Sequence, residues 1–298
     1  MNRKILQLMS LALSLTVFNA CDVADPAPFT PEYVVESYLF ALEPLPPLRL
    51  SRTVPFDQPY VFQDQAVPNA NVQLKLLDAS GNTETVFDFL EIERGIYTPA
   101  DTLHRVLPLR RYALEITFPD DETVLRSQTT VPDTFSVLSA SADTVVYLSS
   151  AQLEITVTQS FTPGRQNIFV FTTESFDARF EQLTPTYAEF LDAEEDDLED
   201  WRVRESPPVN EENYSLNPDG TLTLDYPWLA VVFYGPNRIS ASAIDDNIFN
   251  FVRSQDIQVN PTTLSPGEIP NVIDPIEGGT GLFGSYARAS VDVFVARQ

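Results

Sequence analysis

The sequence predicts a mainly β protein with two tandem immunoglobulin-like β-sandwich domains behind an export signal. Short runs rich in β-branched and aromatic residues recur along the chain, and turn-forming residues separate them. Prolines (24) outnumber glycines (10), and Phe (20) and Tyr (11) are abundant. This composition is typical of short strands joined by tight turns. The 298 residues, of which 43% are hydrophobic, can fill two cores.

Residues 1–20 are predicted to be a signal peptide. Arg3 and Lys4 precede an apolar run that is shorter than the roughly 20 residues of a transmembrane helix. The run ends at Ala20 and Cys21, and Cys21 is the only cysteine in the chain. Because a bacterial lipoprotein signal ends at a cysteine that is then acylated, we expect Cys21 to carry a lipid. The alternative is an ordinary signal peptide followed by a free thiol, which would be open to oxidation outside the cytoplasm.

Residues 21–32 are acidic and rich in proline, which predicts an extended tether. The whole chain has a net charge of −25. Residues 1–20 carry Arg3 and Lys4 and no acid, so their removal takes the net charge to −27. Such a charge repels nucleic acid and anionic membrane surfaces, and we expect no nucleic-acid partner.

The first domain is predicted at residues 33–133. Its clearest element is a hairpin over 110–132, in which apolar and polar residues alternate before an acidic turn. About seven short strands at this spacing indicate an immunoglobulin-like sandwich. Further strands are predicted at 33–42, 48–54, 71–78 and 84–92.

The second domain is predicted at residues 134–298. It should contain one short helix at 245–255, with Asp245 as its N-cap, and a long acidic insertion at 184–213, interpreted as partly mobile. The stretch 256–286 is predicted to be a connection, because it is rich in Pro and Gly. Strands are predicted at 153–159, 166–175, 222–226, 229–235, 238–244 and 289–296.

Catalytic chemistry has little support in the sequence. His104 is the only histidine, which excludes histidine-rich metal sites, and its setting indicates a surface residue. Residues 192–200 hold seven acids in nine residues, but they lack the ligand spacing and the glycine of a calcium loop. Paired carboxylates for hydrolysis remain a weak third possibility. We therefore expect no enzyme, no metal and no cofactor.

Four aromatic residues are candidate binding residues. Trp201 and Tyr187 lie in the acidic insertion, where exposed aromatic rings can stack on sugars or anchor a partner protein. Phe283 and Tyr286 lie in the glycine-rich stretch 277–286. This stretch fails as a phosphate loop, since no lysine follows it and a strand comes next. A structural loop that packs Phe283 and Tyr286 against the second domain is the alternative.

Several motifs resemble those of a known family. They are "YVVESYLFA", "LRLSRTVPF", "VPNANVQL", "RGIYTP", "TTVP", "SAIDDNIFNFVRS" and "IPNVIDPIEGGTGLFGSYA". The chain resembles the Bacteroidetes lipoprotein family catalogued as domain of unknown function 4249, whose members typically end in a glycine-rich stretch with a Phe-Gly pair. The resemblance implies an outer-membrane lipoprotein often found with TonB-dependent receptors, without an established activity.

Three functions remain open at this point. The first is a non-enzymatic binding or accessory partner of a TonB-dependent receptor, held by outer-membrane lipid through Cys21 and docked on the receptor's β-barrel. The second is a free-standing extracellular glycan- or peptide-binding module, and the third is a carboxylate-based hydrolase. We expect an outer-membrane location facing the cell surface, with the periplasmic face as the alternative.

Replacement of the acylated thiol tests the anchor. Cys21→Ser should leave the β domains folded but release the protein from the membrane, because serine cannot take the thioether-linked lipid. Membrane fractionation and circular dichroism check both halves of this prediction. A serine variant that still fractionates with the outer membrane would show that a partner, and not lipid, retains the protein.

Overall fold

The computed structural model describes residues 29–140, 142–150, 153–162, 165–192, 196–214, 216–259 and 273–298, without the side chains of 255–259. Cys21 and the tether up to residue 28 lie outside these ranges. Residues 32–298 form one compact unit, and the structure below is that of this unit. Within the described ranges, no helix has both the length and the apolar character needed to cross a membrane.

The chain is mainly β, which confirms the predicted class. Its strands, within the described ranges, are β1 (Tyr33–Phe40), β2 (Leu48–Arg52), β3 (Asn71–Leu77), β4 (Thr83–Glu93), β5 (Ile96–Pro99), β6 (Arg111–Phe118), β7 (Asp121–Thr130), β8 (Val137–Ala140), β9 (Thr144–Val146), β10 (Glu154–Val157), β11 (Ile168–Ser175), β12 (Val203–Glu205), β13 (Val209–Asn210), β14 (Leu222–Asp225), β15 (Gly235–Ile244) and β16 (Thr280–Ala296). The helices are α1 (Phe62–Gln65), α2 (Pro185–Ala188) and α3 (Asp246–Val259), and short 3₁₀ turns occur at Phe180–Gln182, Leu198–Trp201, Glu211–Asn213 and Trp228–Ala230.

One large sheet runs through most of the described chain. Its order is β12-β11-β15-β16-β1-β2-β5-β4-β3-β6-β7, with β13 paired to β11 and β9 paired to β16. A smaller sheet has the order β14-β10-β8. The first and last strands, β1 and β16, are parallel neighbours, with Val34 opposite Thr280 and Phe40 opposite Tyr286. The two ends of the folded unit therefore meet in the middle of the large sheet.

The first hydrophobic core lies between two parts of this sheet. Strand β4 pairs with β3 through its first half and with β5 through its second half. The sheet thus folds back on itself, and residues of β1, β2 and β5 pack against residues of β3, β6 and β7. The alternation predicted for the hairpin is confirmed, since Tyr112, Leu114 and Ile116 are buried and their neighbours are less so.

The second core lies between the large and the small sheet. Ile155 and Leu224 of the small sheet share one cluster with Phe169, Ala241 and Val295 of the large sheet. Two packed β layers of this kind form a sandwich. The division of the chain at residue 133 stays a prediction.

Strand β16 begins earlier than the sequence predicts. The sequence predicts the terminal strand at 289–296, whereas β16 starts at Thr280 and includes most of the glycine-rich stretch. A Cβ atom on Gly281 would lie 2.2 Å from the Val35 carbonyl oxygen, and one on Gly284 would lie 2.4 Å from Ile248 Cγ1. The β1 backbone can approach Gly281, and α3 can approach Gly284, because neither glycine has a side chain. Glycine has this role inside strands as well as in turns.

The acidic insertion at 184–213 contributes to the sheet edge. Its described residues form α2, a 3₁₀ turn, β12 and β13, and both strands pair with β11. The apolar side chains of the insertion are divided between these elements. Tyr187 packs with Leu198 and Trp201, but Phe190 remains largely exposed.

The need for glycine in β16 is testable. Gly281→Ala should lower the free energy of unfolding by about 3 kcal/mol or more, because the methyl group would overlap the β1 backbone and φ is +111°. Gly220→Ala is the matched control, since Gly220 also has a positive φ but no heavy atom within 4 Å of the added methyl group. It should cost only about 1 kcal/mol. Urea unfolding measures both, and equal losses would contradict the close-approach explanation.

Candidate functional site

Two of the predicted binding residues are buried. Tyr187 is 8% exposed and its hydroxyl donates to the Leu229 carbonyl oxygen at 2.6 Å. Phe283 is 1% exposed and belongs to the first core, not to a loop on the second domain. Both side chains pack inside the fold, so neither offers an exposed surface. Trp201 is half-buried, with its ring 5.7 Å from that of Tyr187 and the Arg204 guanidinium 5.5 Å above it.

Tyr286 lies on the sheet face that points away from the two cores. There its ring stacks on Phe40, with centroids 5.1 Å apart and an interplanar angle of 10°. Tyr38, which is 36% exposed, lies 6.2 Å from Tyr286. The Arg288 guanidinium carbon is 5.1 Å from the centre of the Phe40 ring and 5.9 Å from that of Tyr286. The β1–β16 pairing thus gathers three aromatic rings and one arginine.

The same face continues over β2. Arg49 pairs with Glu36 of β1 at 3.6 Å and lies 4.2 Å above the centre of the Phe62 ring. The hydroxyl of Tyr60, which is 49% exposed, donates to Ser51 Oγ at 3.0 Å. We call this surface the aromatic–arginine face. It consists of Tyr38, Phe40, Arg49, Tyr60, Phe62, Tyr286 and Arg288.

The face and its immediate neighbours are nearly balanced in charge, although the whole chain has a net charge of −25. Arg49 and Arg288 stand against Glu36 and Glu205. Burial, followed by the charge of Glu205, raises the pKa of Tyr286. Burial, followed by the charges of Glu36 and Glu205, also raises the pKa of Tyr38. Both phenols therefore stay protonated at neutral pH and can donate hydrogen bonds to a ligand.

Asp245 fixes the elements beside this face. It is 3% exposed, and its Oδ1 accepts from the backbone N–H of Ile248 at 2.9 Å, as expected of the predicted N-cap of α3. Its Oδ2 accepts from the Thr129 hydroxyl, and Thr129 Oγ1 lies 2.5 Å from Ser285 Oγ. This junction joins α3, β7 and β16 next to Tyr286. Burial raises the pKa of Asp245 to about 6.

A polar cavity of about 210 Å³ borders this junction. Arg165 lines it, pairs with Asp246 at 2.5 Å and donates to the Ile244 carbonyl oxygen at 2.7 Å. Asp245 is likewise bound to Thr129 and Ile248. These polar groups hold the fold together around the cavity.

His104 contributes to packing. Its Nε2 lies 2.9 Å from the Tyr112 hydroxyl, and its ring is 4.3 Å from that of Phe87. Burial lowers its pKa, so the neutral imidazole is favoured. In the described ranges, no three His, Cys, Asp or Glu side chains are grouped closely enough to hold a metal ion. Residues 193–195 of the acidic run lie outside those ranges.

The sequence analysis missed Tyr38, Phe40 and Arg288. The alternation of β1 does place Tyr38 and Phe40 opposite the buried Val35 and Leu39. That signal identifies a solvent-facing pair but not its neighbours. The contact with Tyr286 depends on the register of two strands that are more than 200 residues apart, for which the sequence gives no local signal.

A family model described as "Domain of unknown function (DUF4249)" matches residues 22–291. The chain belongs to the DUF4249 family. The match begins at the residue after Cys21 and includes the whole aromatic–arginine face. The resemblance seen in the motifs is therefore confirmed at the level of the family. The bacterial phylum and the lipid anchor of this DUF4249 chain stay predictions.

Comparison with solved structures shows distant likenesses. A Salmonella α2-macroglobulin reacted with methylamine is 12% identical with a TM-score of 0.24, and a trypsin-activated Escherichia coli α2-macroglobulin is 12% identical with a TM-score of 0.23. The alignments cover 90% of this chain but 15% and 16% of those chains. A tetra-tandem repeat of a large adhesion protein is 12% identical with a TM-score of 0.21, over 89% of this chain and 49% of that chain. These likenesses carry no argument about function. No curated protein sequence matches the chain.

The buried carboxyl group of the junction should make stability depend on pH. Because the folded pKa of Asp245 is about 6, above the usual value of 3.8, the folded state binds a proton that the unfolded state lacks between these values. The contribution of this group to the free energy of unfolding should fall by about 2 kcal/mol as the pH rises from 4 to 6. Asp245→Asn keeps the cap and should remove this fall, as measured by urea unfolding across that range.

Asp246→Asn is the matched control for this experiment. Its side chain is 70% exposed, and the variant should retain the fall. The same pH dependence in the Asp245→Asn variant and the unmodified chain would show that other groups cause it.

Proposed function

We propose that this DUF4249 chain is a lipid-anchored, non-enzymatic accessory protein that docks on an outer-membrane β-barrel receptor of the TonB-dependent class. The observation that supports binding is the aromatic–arginine face. Tyr, Phe and Arg are enriched where proteins bind one another, and Tyr and Arg supply a large part of the binding energy. Tyr38 and Tyr60 are 36% and 49% exposed on this face, which α3 covers only beside Tyr286.

The side chains of the face are held before any partner arrives. Arg49 is fixed between Glu36 and Phe62, and Tyr60 is bound to Ser51. Ordering a long side chain costs about 0.5–1.5 kcal/mol on binding. A preorganised face avoids much of this cost, which favours a role in recognition.

The charge distribution also supports docking at this face. The strongly acidic remainder of the chain repels acidic partners, whereas Arg49 and Arg288 of the face stand beside Glu36 and Glu205. Such contrast directs a partner to one surface and disfavours others. A lipid on Cys21 would confine the protein near a membrane receptor and raise its effective concentration there. We propose display on the outer surface of the cell, with the periplasmic face as the alternative.

A glycan-binding module is the second candidate. The stacked rings of Phe40 and Tyr286 form a flat apolar shelf, with Arg288 in contact and the charge of Glu205 nearby. Sugar rings can stack on such a shelf while charged groups bind their hydroxyls. This shelf replaces the half-buried Trp201 as the expected contact of a glycan.

Co-purification tests the receptor proposal. The native lipoprotein, extracted in mild detergent, should bring a large β-barrel protein with it. Tyr38→Asp should reduce the recovered barrel at least tenfold, because it places a charge in the face. Leu90→Asp is the control, since Leu90 is 60% exposed on β4, two strands from β2 and outside the face, and it should retain the barrel.

Three outcomes decide between the candidates. Recovery of the lipoprotein alone at all salt concentrations would count against the receptor proposal. Retention on a glycan array that is lost in the Tyr38→Asp variant would favour the glycan module. Equal loss of the barrel in the Tyr38→Asp and Leu90→Asp variants would remove the face as the docking site.

A further inference from the structure

We infer that Arg288 is a preformed receptor for a carboxylate of the partner, supplied by an Asp or Glu side chain next to an apolar residue in a protein segment. This inference rests on the proposed docking function and specifies the chemistry of the docked partner. It concerns the part of the aromatic–arginine face formed by Phe40, Tyr286 and Arg288.

The guanidinium of Arg288 is held in one position. Its Nε donates to Ser242 Oγ at 2.9 Å, and its carbon atom lies over the rings of Phe40 and Tyr286. Ser242 is fully buried on the neighbouring strand β15. The arginine is therefore anchored through one nitrogen and two rings, while the residue itself is exposed.

The two terminal nitrogens of Arg288 have no carboxylate partner in the described chain. This differs from the next arginine on the same pair of strands. Arg238 of β15 faces Asp292 of β16 and binds both of its oxygens, at 2.8 and 3.2 Å. At the Arg288 position the facing residue is Ser242, which can satisfy only one N–H group. In a chain with 43 acids and 18 basic residues, this anchored arginine has no acid paired with it in the described ranges.

A carboxylate is the group that completes this site. The two free nitrogens of a guanidinium match the two oxygens of a carboxylate, and such bidentate pairs are among the strongest hydrogen-bonded contacts. The rings of Phe40 and Tyr286 exclude water from one side, which strengthens the pair. The same rings need an apolar group opposite them, so the acid should have an apolar neighbour.

The size of the face favours a protein segment over a sugar acid. From Arg288 the face extends over β16, β1 and β2, roughly 10 Å across the strands, to Phe62 and Tyr60. One sugar ring covers only part of this distance. The negative charges near the face are Glu36, which Arg49 neutralises, and Glu205. A second partner acid beside Glu205 would be repelled, so the partner needs one well-placed carboxylate and not an acidic run.

The probe for this site is phenylacetate, which joins an apolar ring to a carboxylate. The full-length lipoprotein in detergent micelles, labelled with ¹⁵N-arginine, is titrated with phenylacetate while the Arg288 Nε–H resonance is followed. We expect a saturable shift in the millimolar range. Phenylacetamide, which has the same shape without the charge, should bind at least fivefold more weakly.

Variants identify the residue that binds. Arg288→Lys keeps the charge but not the bidentate geometry. We expect it to weaken phenylacetate binding at least fivefold, measured from the ring protons of the ligand. Arg253→Lys is the matched control, because Arg253 is an exposed arginine of α3 without a ring contact in the described chain, and it should leave binding unchanged.

Each outcome decides one question. Equal binding of phenylacetate and phenylacetamide, or full binding by the Arg288→Lys variant, would overturn the carboxylate receptor. Tighter binding of galacturonate than of phenylacetate would assign the site to an acidic sugar and overturn the protein segment. If no barrel co-purifies with the lipoprotein but phenylacetate still binds, the receptor proposal alone would be rejected.

Discussion

The parallel pairing of β1 with β16 is the constraint on which the rest of the structure depends. It joins the beginning and the end of the folded unit, and it places β16 between β1 and β15. On one side of this strand pair, Phe283 completes the first core, and on the other side Tyr286 meets Phe40. A shift of one residue in this register would exchange these two sides, because side chains alternate along a strand. The register therefore decides both the packing of the core and the composition of the aromatic–arginine face.

Residues without large side chains make this register possible. Gly281 lets the β1 backbone approach, and Gly284 leaves room for Ile248 at the start of α3. Asp245 then fixes the direction of α3 by capping it and by binding Thr129. The segments "TTVP", "SAIDDNIFNFVRS" and "GLFGSYA" meet at this point although they are distant in sequence. Their side chains act together as one structural junction, and burial within it raises the pKa of the Asp245 carboxyl group.

Local patterns in the sequence are sufficient to predict most strands and helices, but they do not predict which of these elements pair or pack with one another. The alternation in "RRYALEITF" predicted β6, and the acids before "NIFNF" predicted the start of α3, because both signals lie within a few residues. The glycines of 277–286 were interpreted as a loop, since glycine is more common in turns than in strands. Only the closeness of the β1 backbone shows why they occur in β16. Among the candidate binding residues, Tyr286 lies on the exposed face, whereas Tyr187 and Phe283 are buried, because exposure depends on contacts between distant segments.

The aromatic–arginine face is formed by residues from both ends of the folded unit, so recognition of this face depends on complete folding. Tyr38 and Phe40 are among the first residues of that unit, whereas Tyr286 and Arg288 are close to its end. The stacked shelf and the arginine above it therefore exist only after β16 has paired with β1, which requires most of the chain between them to be folded. The nonlocal pairing must form before its contacts stabilise the chain. A partner that binds this face thus recognises completely folded chains and discriminates against truncated or unfolded ones. For the membrane-anchored protein that we propose, unfolded copies would remain beside the same receptor, and this link between folding and recognition would make docking selective.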